Sequence, residues 1–106
     1  MSTLTYSALT SSGRAFDIEF PLHPETRSQE AVSAMLTGLL ESLSKTVEER
    51  KDVSDGDVLQ ALAMALAIRG RMIDAAPETL RSLVGELFES AFEAAEAAQV
   101  YAASRS

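Results

Sequence analysis

Hydrophobic residues recur along this chain with two different periods. Phe16, Ile18, Phe20 and Leu22 alternate with Ala15, Asp17, Glu19 and Pro21. A period of two marks a strand with one face turned inward and one turned to water. Leu4, Tyr6 and Ala8 alternate more weakly in the run Thr3–Leu9. The cluster Thr10-Ser11-Ser12-Gly13 separates the two runs, and its glycine is free to take positive φ. The pattern predicts a β-hairpin over about residues 3–22, with a short loop at Thr10–Gly13. Pro21 and Pro24 end the second strand, because proline donates no hydrogen to a ladder.

Beyond Pro24 the period lengthens to that of a helix. Val32, Met35, Leu36, Leu39, Leu40, Leu43 and Val47 form one apolar stripe, predicting a helix over about 26–50 that starts at Thr26 or Ser28. Thr26 with Gln29 has the spacing of a capping box. A second helix is predicted over about 57–72. Ser54 and Asp57 repeat the capping spacing, with a carboxylate where the helix dipole favours one. Val58, Leu59, Leu62, Met64, Ala65, Leu66 and Ile68 leave this helix almost no polar side before Arg69. Such a segment has to be covered on most sides, either at the centre of the fold or in an oligomer interface. Pattern alone does not decide whether Gly70 ends this helix or lies inside it. Pro77 and Glu78 are start signals for a third helix, over about 77–102. Its stripe is Leu80, Val84, Leu87, Ala91, Ala94, Ala98 and Tyr101, widened by Leu83, Phe88 and Phe92.

The element order is therefore β-β-α-α-α. The expected fold is α+β and mainly helical, an N-terminal β-hairpin packed on a three-helix bundle within a single domain of residues 1–106. The second helix is expected to be the most buried element, with Leu59, Leu62, Leu66 and Ile68 nearly inaccessible. Phe16, Ile18 and Phe20 are expected on the covered face of the hairpin, and Asp17 and Glu19 on the wet one. A two-stranded hairpin is marginal alone and leaves both edges open, so an edge is available for pairing with a second subunit.

Composition narrows the chemistry. The chain has no cysteine, which excludes disulfides, thiolate nucleophiles, iron–sulfur clusters and most structural zinc sites. With a net charge of −7 it shows no basic face of the kind that neutralises phosphates, so nucleic acid is not an expected partner. The longest apolar stretch, Val58–Ile68, is far shorter than the roughly 20 residues that span a bilayer. A helix acidic on its polar face is also ill suited to a membrane surface. With no signal-peptide pattern at the N-terminus, a soluble cytoplasmic protein is expected, with the tail Ala103–Ser106 disordered.

The candidate sites are few. His23 is the single histidine, and Asp17 and Glu19 on the preceding strand are the carboxylates able to approach it, which defines one candidate pocket. Glu86, Glu89, Glu93 and Glu96 follow one another along the polar side of the third helix. Without an interleaved histidine they do not form a di-metal carboxylate set, and their chemistry suits a surface for a basic partner. Asp52–Asp57 resembles a calcium loop only superficially. With Gly56 as its sixth residue, Lys51, Val53 and Leu62 occupy ligand positions. No nucleophile elbow, P-loop or dinucleotide fingerprint is present. No catalytic residue, metal ligand or cofactor is therefore expected. The leading expectation is a small non-catalytic interaction or accessory protein acting as a homodimer. The alternatives are an acidic inhibitor or nucleic-acid mimic that binds a basic protein, and a small-ligand binder or enzyme with a pocket near His23.

Overall fold

The computed structural model describes residues 2–10 and 13–98 in full and 99–102 as backbone. Ser11-Ser12 of the expected turn and the expected disordered tail Ala103–Ser106 lie outside the described residues. The predicted order is observed. Strands β1 (Thr3–Leu9) and β2 (Arg14–Pro21) precede helices α1 (Gln29–Glu49), α2 (Asp55–Arg71) and α3 (Pro77–Glu96). A short strand, β3 (Gln99–Ala102), follows them. The chain divides into two units, Met1–Ser33 with Leu83–Ser106, and Ala34–Ser82.

The first unit holds the sheet, in the order β1-β2-β3 with both pairs antiparallel. Leu4 stands opposite Phe20, Tyr6 opposite Ile18 and Ala8 opposite Phe16, so the apolar positions of both strands share a face. Phe16, Ile18 and Phe20 are half-buried, while Asp17 and Glu19 are exposed. The alternation read from the sequence holds from Phe16 to Phe20, while Ala15, expected on the wet side, is buried. Leu4 (7% exposed) and Ala15 (8%) are the buried hydrophobic residues among those described. The hairpin closes through Thr10 and Gly13. The Thr10 amide donates to the Arg14 carbonyl (2.8 Å), and Gly13 takes φ +87°, which a side chain would strain.

The third strand corrects the sequence reading. The expected helix over 77–102 stops at Glu96, and residues 99–102 pair with Arg14–Asp17. Helix propensity runs unbroken through the alanines up to Ala98. Long-range pairing with β2 overrides it at Gln99-Val100-Tyr101, where residues with strand preference begin. β2 is therefore the central strand, and the part of its edge at Arg14–Asp17 is not open to a second subunit. The outer strands of the sheet are β1 and β3.

The second unit contains all of α2, whose start is as read from the sequence. Ser54 caps it, with its Oγ accepting from the Asp57 amide (3.0 Å) and the Asp57 carboxylate accepting from the Ser54 amide (3.2 Å). The helix runs through Gly70 to Arg71 and is capped by Met72. At α1 the cap is Ser28 and not Thr26. The Ser28 Oγ accepts from the Ala31 amide (3.0 Å), and the Thr26 amide is used in a turn back to the His23 carbonyl.

The burial expected of α2 is overturned. Leu59 is 67% exposed, Ile68 60% and Leu66 48%, and Leu62 is half-buried. No residue of α1, α2 or α3 is buried. The periodicity identified positions that favour burial, and the second unit by itself, Ala34–Ser82, does not bury them.

Candidate functional site

His23 sits in the connector between β2 and α1, two residues past Pro21, the last residue of β2, and beside Pro24, where a turn begins. Its Nδ1 accepts a hydrogen bond from the Glu25 amide (3.1 Å), which fixes the ring against its own turn and leaves Nε2 for an outside group. The ring borders an open cavity of about 460 Å³, whose lining includes Ser2, Leu22, Thr26, Arg27 and Gln29. The side-chain amide of Gln29 donates to the Thr3 carbonyl (3.3 Å), and the Leu22 amide to the Ser2 carbonyl (2.9 Å). These two bonds tie the connector to the start of β1.

Asp17 and Glu19 do not line this cavity. They lie on the exposed face of β2, where β1 provides their partners. Ser7 Oγ donates to Asp17 Oδ1 (2.7 Å), and Thr5 Oγ1 donates to Glu19 Oε1 (2.9 Å). Both bonds join residues directly opposite in the ladder. The geometry therefore gives the two carboxylates a role in strand pairing and does not bring them to His23. Arg27 is the charged residue beside the imidazole, and sequence reasoning had not associated the two. Their separation by only three intervening residues across a proline turn was the available signal.

Glu86, Glu89, Glu93 and Glu96 are all exposed on α3. None of them forms an ion pair with another described residue. The ion pair among the described residues joins Arg50 and Asp52 (3.4 Å), in the connection between α1 and α2. Next to the glutamates, Phe88 and Phe92 stack with ring centroids 5.4 Å apart and are themselves exposed. No three His, Asp or Glu side chains among the described residues are grouped to hold a metal ion. No helix among them is long and apolar enough to cross a membrane.

The most distinctive surface is that of α2. It has apolar side chains exposed around its circumference and no charged residue between Val58 and Ile68. Comparison with protein-family models, curated proteins and solved structures finds no match to this chain.

Proposed function

We propose that this chain is a non-catalytic interaction or accessory protein that works as a homodimer. The observation behind this reading is the exposed apolar surface of the helices, including Met35, Leu39, Leu59, Leu66, Ile68 and Phe92. Monomers in water rarely leave contiguous apolar patches larger than a few hundred Å². Twofold dimers are also the commonest homo-oligomers. Light scattering at micromolar concentration tests the reading. The expected mass is twice 11.4 kDa, and a mass of 11.4 kDa overturns it.

One observation favours a second reading, a basic protein partner. The four α3 glutamates are exposed and form no ion pair among the described residues, and the net charge is −7. Charge complementarity of this kind speeds and orients docking. Its signature is co-purification of a basic protein that is lost at high salt, since screening shortens the reach of exposed charges.

A further inference from the structure

We propose that two copies associate through α2, laid antiparallel across a twofold axis near Leu62. This rests on the homodimer reading and specifies its interface. Asp55, Leu59, Leu62, Leu66 and Arg69 follow one another at spacings of four and three along a single side of the helix. The leucines of this stripe are exposed or half-buried, so the chain leaves them available. Alanines at 61, 63, 65 and 67 allow a neighbouring helix to approach closely.

Charge selects α2 over the other two helices. α1 carries Glu30, Glu41, Glu48 and Glu49 against Lys45, and α3 carries Glu78, Glu86, Glu89, Glu93 and Glu96 against Arg81. Two copies meeting through either would bring like charges together. α2 balances Asp55 and Asp57 against Arg69 and Arg71, with no charge in between. Neither Arg69 nor Arg71 forms an ion pair among the described residues.

The ends of α2 also select the direction. Its acids lie in the first turn and its arginines in the last. That placement suits the dipole of a single helix. In a parallel pair, each end would face its own sign. In an antiparallel pair centred on Leu62, Asp55 lies level with the partner's Arg69, and Leu59 with the partner's Ala65, one residue from the partner's Leu66. An isologous interface makes every such contact twice, so the pairing carries two copies of each complementary contact.

Full-length D55R and R69D are prepared separately, mixed, and equilibrated, and the masses of the assemblies are read by native mass spectrometry. Each variant alone tests the direction and the mixture tests the α2 interface, both apart from the existence of the dimer, since in a parallel pair the separate variants would dimerise no more weakly than the unaltered protein. In either homodimer the reversed charge meets its like twice, and each variant alone is expected to dimerise about tenfold more weakly than the unaltered protein. In the heterodimer both contacts are restored as one acid–acid chain against one base–base chain, and it is expected to exceed its statistical half share clearly. Helix-dipole effects stay within each chain and give no such preference. A statistical mixture from a protein that is itself dimeric overturns the antiparallel α2 pairing and leaves the homodimer standing. If the variants fold or associate only when mixed, the pairing is supported. If the mixture forms no dimer although the unaltered protein does, it is overturned. A monomeric unaltered protein removes both readings.

Discussion

The sheet and the second helix both carry a clear hydrophobic pattern, yet they differ in what the chain itself provides for it. On the sheet, Leu4, Tyr6 and Ala8 meet Phe20, Ile18 and Phe16 in register. The polar side of the same ladder pairs Thr5 with Glu19 and Ser7 with Asp17. Apolar and polar positions both find partners within the chain. Helix α2 has a stronger apolar character and a complete N-terminal capping box, yet none of its residues is buried. A periodic stripe states which positions favour burial, and it leaves open which surface buries them. For the strands that surface is the neighbouring strand, fixed by a short turn. For α2 we assign it to a second copy.

The sharpest way to break this contrast is to shorten one leucine in each region. Leu62→Ala removes the side chain at the centre of the proposed interface. If a second copy covers it, the loss is expected to be about 2–5 kcal/mol in urea unfolding of the dimer. The midpoint should also shift with protein concentration, because association and folding are then linked. A loss below about 1 kcal/mol, independent of concentration, would place Leu62 in an environment no more covered than its half-buried position in the single chain. Leu4→Ala is the counterpart in the sheet. Leu4 is already covered within its own chain, so its loss of about 2–3 kcal/mol should leave the dimer's dissociation constant unchanged. A matching fall in dimer affinity would mean that the two regions are not energetically separate.

The parts of the fold legible in the sequence were those decided by local physics. The alternation at Phe16–Phe20, the glycine of the hairpin loop, the Ser54–Asp57 box and the Pro77 start each depend on residues within a few positions of one another. What was misread depends on distant residues. The alanine-rich end of α3 reads as helix until β2 captures residues 99–102, more than eighty residues from its own partners in the ladder. Asp17 and Glu19 looked available to His23 because the sequence does not show Ser7 and Thr5 lying opposite them. The apolar circumference of α2 is legible, and periodicity does not choose between the centre of the chain and a subunit interface. Leu59 and Ile68 are not buried within their own unit.

The smallest expected effect separates the intrinsic stability of α2 from the cover it receives. Ser54 provides both halves of the capping box, since its hydroxyl accepts from the Asp57 amide and its amide donates to the Asp57 carboxylate. Ser54→Ala removes the first of these bonds and leaves an orphan donor at the helix start. Caps of this kind contribute about 1 kcal/mol. The cap belongs to one chain, so it stabilises α2 whether or not a partner is present. In the antiparallel arrangement, however, the first turn of α2 lies beside the partner's last turn, and fraying there also loosens the contact of Asp55 with the partner's Arg69. The variant should therefore lose about 1 kcal/mol by urea unfolding and show a measurable rise in the dimer dissociation constant by sedimentation. The same loss of stability with an unchanged dissociation constant would place the ends of α2 outside the interface. That result would confine any contact between copies to the leucines at the middle of the helix.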